Sequence, residues 1–139
     1  MVCNTVEKES PLARHLALIA LLVADYDQAL AFYVGKMGFD LLEDSDLGGG
    51  KRWIVVSPGA GGSRFLLAQA TGDQAASIGA QGGGRVWLFL QTDDFAADHA
   101  RLSAAGVKFL EEPRHESYGS VAVFEDLHGN RWDLLQPKG

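Results

Sequence analysis

The segment FEDLHGNRWDLLQ, Phe124 to Gln136, reads as strand, turn, strand. Val121, Val123 and Phe124 close an apolar alternating run. Asp126, His128, Gly129 and Asn130 then favour a tight turn, because Gly and Asn accept positive φ. Trp132, Leu134 and Leu135 resume a strand, and one acid, Asp133, sits inside it. An unpaired buried carboxylate is costly, so Asp133 must line a polar cavity or face solvent.

Working outward, the same order of elements is met twice. His15–Val23 is an apolar run of strand length. Asp25 caps a helix, with Gln28 placed as in a capping box. Ala29, Leu30, Phe32, Tyr33 and Met37 recur at helical spacing and form a buried face. Gly38 ends the helix. Phe39–Leu42, Trp53–Val56 and Phe65–Ala68 are strands, separated by Glu43–Gly50 and Ser57–Gly62. In the second half, Val86–Leu90 is a strand, and Asp94 caps a helix stopped by Gly106. Val107–Leu110, Ser120–Phe124 and the closing strand follow. Aligning Asp25 with Asp94 places Leu18 on Trp87. Aligning Gln69 with Gln136 places Leu66 on Asp133. Neither half could bury enough surface alone, so the repeat implies two units around one core. The expected layout is an N-terminal arm, 1–14, and a single domain, 15–137. Within it, module 1 spans about 15–70, a linker of flexible composition 71–84, and module 2 about 85–137.

Composition narrows the function classes. The chain has 139 residues, is 47% hydrophobic, and carries 12 Lys and Arg against 18 Asp and Glu, a net charge of −6. That balance argues against nucleic acid and against anionic membranes. Leu16–Val23 is apolar but too short to span a bilayer. The lone cysteine, Cys3, forms no intrachain disulfide, and no signal peptide is visible, so a cytoplasmic location is expected. No Ser-His-Asp or Cys-His constellation appears. The glycine runs 48–50, 59–62 and 82–84 lack the context of a phosphate loop.

VADYDQALAFYVGKMGF and FEDLHGNRWDLL together resemble the vicinal oxygen chelate superfamily. That group includes glyoxalase I, bleomycin- and fosfomycin-resistance proteins and extradiol dioxygenases. Its second module closes on Asp-Pro-Asp-Gly-Asn and then a glutamate; here the turn reads Asp126 to Asn130, and Asp133 stands at the glutamate. The resemblance implies an α+β fold of two tandem βαβββ modules forming a curved eight-stranded mixed sheet. It also implies a homodimer and a small-molecule ligand held in a cavity between the modules.

The family's four metal positions carry over to Leu18, Leu66, Trp87 and Asp133. Leucine has no donor atom, and the indole nitrogen has no free lone pair, so one ligand in four remains. No cofactor is expected; the alternative is a divalent metal at a displaced site. The expected cavity comprises Leu18, Arg52, Leu66, Trp87, Phe89 and Asp133, with Lys51 and Arg52 adding positive charge at its rim. Asp133, His115 and Glu116 are the candidate acid/base groups, His115 and Glu116 as a pair at the cavity mouth. His99 reads as a packing residue on the second helix, and Trp132 and Arg131 as outer-face or dimer residues. Three readings of function follow: a metal-free small-molecule binder, an enzyme of the superfamily (lyase, isomerase or dioxygenase relative), or a structural dimer with a filled cavity.

Overall fold

The computed structural model describes residues 14–59 and 61–139. Most of the expected arm, with Cys3, lies outside them. The first module runs β1 (Leu18–Val23), α1 (Tyr26–Leu30), a π-helical turn (Ala31–Lys36), β2 (Asp40–Gly48), β3 (Lys51–Ser57) and β4 (Arg64–Gln69). The second runs β5 (Val86–Gln91), α2 (Phe95–Ala104), β6 (Lys108–Phe109), β7 (Arg114–Glu116), β8 (Gly119–Glu125) and β9 (Arg131–Pro137). The α+β class and the tandem modules are as expected. Within the chain the strands divide into two sheets, ordered β1-β4-β3-β2 and β5-β9-β8-β6, with β7 added to β8. In both, the opening strand pairs parallel with the closing strand, β1 with β4 and β5 with β9.

The repeat extends to single hydrogen bonds. Asp25 accepts from the Gln28 N–H at 2.8 Å and Asp94 from the Ala97 N–H at 3.1 Å, each satisfying one orphan donor of its helix. The side-chain amide of Gln69 donates to the Ala24 carbonyl at 3.1 Å, and that of Gln136 to the Asp93 carbonyl at 2.9 Å. Gly38 (φ 77°) and Gly106 (φ 91°) end the two helices in the left-handed conformation that costs glycine no Cβ clash.

The first helix departs from the expected α-helix after one turn. The Met37 N–H reaches back five residues to the Phe32 carbonyl, at 2.9 Å. This wider turn lets the consecutive Phe32 and Tyr33 both enter the core, with Met37. One core serves both modules. Trp132, 1% exposed, stands at its centre, with ring centroids 5.6 Å from Phe65, 5.9 Å from Phe39 and 5.8 Å from Phe124. Trp132 is therefore a core residue and not an outer-face or dimer residue. Its even position on β9 puts it beside Leu134, and β9 is covered on that side.

The turn before β9 is built on Asp126, which is buried. One carboxylate oxygen accepts from the Tyr33 hydroxyl at 2.7 Å, the Trp132 indole N–H at 3.0 Å and the Asn130 side-chain amide at 3.1 Å. The other accepts from the backbone N–H groups of Asn130 at 3.0 Å and His128 at 3.2 Å. A buried carboxylate is tolerable only with such a complement of donors. Tyr33 brings the first module to this turn, so Asp126 ties the two modules together. Burial, and then the Asp126 charge, push the Tyr33 hydroxyl far above its ordinary pKa and keep it a donor.

The linker is more ordered than its composition suggests. The Gln74 side chain accepts from the Thr71 N–H at 3.0 Å at the start of a 3-10 turn, Gly72–Ser77. The Gln81 side chain then lies along the free edge of β1, accepting from the Leu22 N–H at 2.8 Å and donating to the Ala20 carbonyl at 3.1 Å. A carboxamide carries the same donor and acceptor as a peptide unit, so one residue here takes the place of a neighbouring strand. Gly79 (φ 73°) lies so close to the His128 carbonyl that any Cβ would collide with it.

Candidate functional site

Alternation along the strands gives each sheet a core face and a second face. On the first sheet, Leu21, Val23, Ile54, Val56, Phe65 and Leu67 point into the core. Leu18, Ala20 and Leu22 lie opposite Arg64, Leu66 and Ala68, and Val55 lies opposite Leu66. These positions share the second face. On the second sheet Asp133 lies between Phe89 on β5 and Val123 on β8, and Leu135 between Gln91 and Val121. Phe89 is 64% exposed. Trp87 falls where the β5–β9 register slips and packs against the core cluster.

The expected cavity residues are thus distributed. Leu18 and Leu66 belong to one sheet, Trp87, Phe89 and Asp133 to the other. A cavity of about 480 Å³ holds Leu66 and Arg52, beside Trp53, Ala68, Gln69 and Tyr26. It opens where β3 and β4 part, since their pairing is confined to Val55–Leu66 and Val56–Phe65. A second cavity, of about 400 Å³, lies between the modules. Phe89 borders it, but its apolar walls are Ile19, Phe65, Leu88, Leu90 and Trp132, mostly side chains of the core faces.

Two arginines near these faces, Arg52 and Arg114, are committed. Arg52 donates to Asp27 at 2.8 Å and to both oxygens of Asp44 at 2.7 and 3.1 Å. Its guanidinium also lies 5.4 Å from the Tyr26 ring centroid. Because Arg52 shares a face with Ile54, it points to the helix side, and two carboxylates cancel the positive rim that the sequence suggested. The Arg52 bond holds the Asp44 carboxyl below its ordinary pKa. Arg114, on β7, donates to both oxygens of Glu111 at 2.9 and 3.2 Å and to Glu116 at 3.2 Å. Glu111 in turn accepts from the Val123 N–H at 3.0 Å. Asp133 has no such complement: its Oδ1 is buried with no hydrogen-bond partner. Desolvation pushes its carboxyl above its ordinary pKa, while Arg114 and Glu111 act on it in opposite senses.

The candidate acid/base groups do not assemble. His115 pairs with Ser120 across the β7–β8 ladder, its Nδ1 2.8 Å from the Ser120 hydroxyl, and its ring lies 6.3 Å from that of Phe95. It faces α2. Glu116, the next residue on the strand, points to the opposite face and is tied to Arg114. His115 and Glu116 are therefore not a pair, and His115 and Asp133 lie on opposite sides of one sheet. His99 packs 4.2 Å from the Phe109 ring centroid and 5.8 Å from that of Phe95. No group of three or more His, Cys, Asp or Glu side chains is placed to hold a metal ion among the described residues. Of the four carried-over positions only Asp133 offers a donor atom.

Sequence reading missed Trp53 as a cavity wall, and it missed the Glu111–Arg114–Glu116 cluster. The alternation Arg114-His115-Glu116 was the available signal, since it sets the charged pair on one face. Among the described residues no helix is long and apolar enough to cross a membrane.

Comparison with known proteins agrees with this architecture. An uncharacterised protein of Shewanella frigidimarina is 55% identical over 121 residues, covering 85% of this chain and 90% of that one. TnmS3, an antibiotic-binding protein from Streptomyces sp. CB03234, is 33% identical with a TM-score of 0.75, covering 93% of this chain and 100% of its own. UcmS2 is 29% identical with a TM-score of 0.76, covering 89% and 98%. The sequence profile of the Glyoxalase/Bleomycin resistance protein/Dioxygenase superfamily matches residues 15–134. The chain belongs to that superfamily.

Proposed function

We propose that this chain binds a small organic molecule through the second faces of its sheets, as a homodimer and without a metal at the family's ligand positions. The observation that carries the reading is the apolar surface the core leaves uncovered. Phe89 is 64% exposed, and Trp53 and Leu66 wall a cavity of about 480 Å³. That volume lies in the range of drug-sized sites, which pair apolar walls with a few directed polar groups. An antibiotic-binding relative at 33% identity supports the same class of ligand. Leu41 and Leu42, each 46% exposed on edge strand β2, are apolar surface of the kind a second subunit covers. The metal-free reading rests on the donor chemistry of Leu18, Leu66 and Trp87.

The test is a thermal-shift and calorimetric screen of purified protein against aromatic and antibiotic libraries, with elemental analysis of the same sample. Saturable binding in metal-free protein supports the reading. One tightly held divalent ion per chain, lost on Asp133→Ala, overturns the metal-free part. A second reading, metal-free acid/base catalysis, is favoured by one observation, the buried and unpartnered Oδ1 of Asp133, a setting whose desolvation pushes the carboxyl above its ordinary pKa. It requires turnover that Asp133→Asn abolishes while ligand binding persists.

A further inference from the structure

We propose that the second-sheet face around Asp133 selects aromatic ligands that carry a protonated amine, the Asp133 carboxylate receiving the ammonium while Phe89 receives the ring. This rests on the small-molecule reading above and specifies its ligand. Phe89 stands directly across the β5–β9 pairing from Asp133 and is largely exposed. Val123 flanks Asp133 on the other side, and Leu135 follows it on the same face. The surface is therefore apolar with one carboxylate at its centre; the Oδ1 of that carboxylate is buried without a partner, and Oδ2 is the oxygen that faces outward.

The charges around it point to a cation. Arg114 lies on the same face, since it pairs with Val121 in register with Leu135. An anionic ligand would need this guanidinium, but Glu111 and Glu116 already occupy its donors. Two carboxylates against one guanidinium, together with Asp133, leave the patch net negative. Arg131 and Arg85 are exposed and precede it, at and before the strand starts. The charges acting on the Asp133 carboxyl are those of Arg114 and Glu111. An ammonium would meet the outward Oδ2 by a charge-assisted hydrogen bond, and the aromatic ring beside it adds cation–π attraction.

The experiment uses three probes of one ring: 1-naphthylmethylamine, 1-naphthalenemethanol and 1-naphthoate, titrated calorimetrically into the full chain. The amine is expected to bind about tenfold or more tighter than the alcohol, as a hydrogen bond to a charged group implies, and the naphthoate weakest. Asp133→Asn, nearly isosteric, should abolish the amine preference and leave alcohol binding unchanged. Phe89→Ala, an exposed position, should weaken all three alike. Equal binding of the three, naphthoate preference, or an amine preference that survives Asp133→Asn overturns the proposal while leaving the small-molecule reading intact. No binding by any probe overturns the proposal; the small-molecule reading falls as well only if the wider library screen is also empty.

Discussion

Replacing Asp126 by alanine removes the acceptor for five hydrogen bonds at once. Two of the donors, the Tyr33 hydroxyl and the Trp132 indole N–H, belong to side chains 0% and 1% exposed, so bulk water does not replace the lost partner. Each buried donor left unsatisfied costs roughly 1–3 kcal/mol. Two of them, with the backbone N–H of Asn130 partly re-solvated, put the loss at about 4 kcal/mol. For a chain of this size that corresponds to a fall in Tm on the order of 10–15 °C. Asp126→Asn keeps one acceptor oxygen but turns an amide toward a donor, so about half the loss is expected. Urea unfolding followed by tryptophan fluorescence measures both, with the m-value unchanged. The sharper check is a double-mutant cycle with Tyr33→Phe. Removing the hydroxyl should cost about 1–2 kcal/mol in the natural background. In Asp126→Ala it should be neutral or stabilising, because the orphaned donor disappears. A loss below about 1 kcal/mol for Asp126→Ala, or the same Tyr33→Phe cost in both backgrounds, would refute the claim that this turn fastens one module to the other.

Gln81→Ala should cost about 1–2 kcal/mol through its two bonds to the edge of β1, and should speed amide exchange at Leu22, whose N–H loses its acceptor. Asp133→Asn should be at least as stable as the natural protein at neutral pH. A carboxyl whose folded pKa is raised above its unfolded value of 3.8 binds more protons when folded, so stability falls as pH rises from that value through the folded one. Denaturant unfolding between pH 3 and 7 should show the natural protein losing ground to the variant as pH climbs. Asp44 behaves in the opposite sense. Its lowered pKa contributes stability above its ordinary value, lost as pH falls through the folded value. Arg52→Ala should return the Asp44 midpoint upward in a carboxyl-resolved NMR titration.

The repeat was legible because it rests on local rules. Asp at an N-cap, Gly at a helix stop and alternation in a strand each constrain the backbone within a few residues. Placing Asp25 on Asp94 and Gln69 on Gln136 therefore recovered correspondences that survive as matching hydrogen bonds. Asp126 was legible only as a turn former. Its larger role depends on Tyr33, 93 positions earlier, and no local pattern encodes that meeting. The same limit explains Arg52. It sits beside Trp53 in the sequence, but the strand sends the two to opposite faces, and only the register of β2 against β3 shows that Asp44 is near. Gln81 escaped notice because a Gly- and Ala-rich segment reads as slack chain, whereas one carboxamide at the right place is enough to dock it.

The choice of core face bears most on function. Trp132, Phe65 and Phe124 draw one side of each sheet inward, and by the period of two the neighbours Asp133, Leu66 and Val123 are turned the other way. A shift of one residue in β9 would bury the carboxylate and expose the indole, so the apolar content of the core fixes where Asp133 can be. Leu18 and Leu66 therefore share the second face of one sheet, and Phe89 and Asp133 that of the other, while the chain spends its shared core on the opposite sides. For those two faces to act on a single ligand, something outside this fold must bring them together. The proposed homodimer and the proposed second-face site are for that reason one claim: if the protein is a monomer that still binds its ligand there, the ligand must be content with the second face of one sheet, and Asp133 with Phe89 is the half that has both an apolar wall and a carboxylate acceptor.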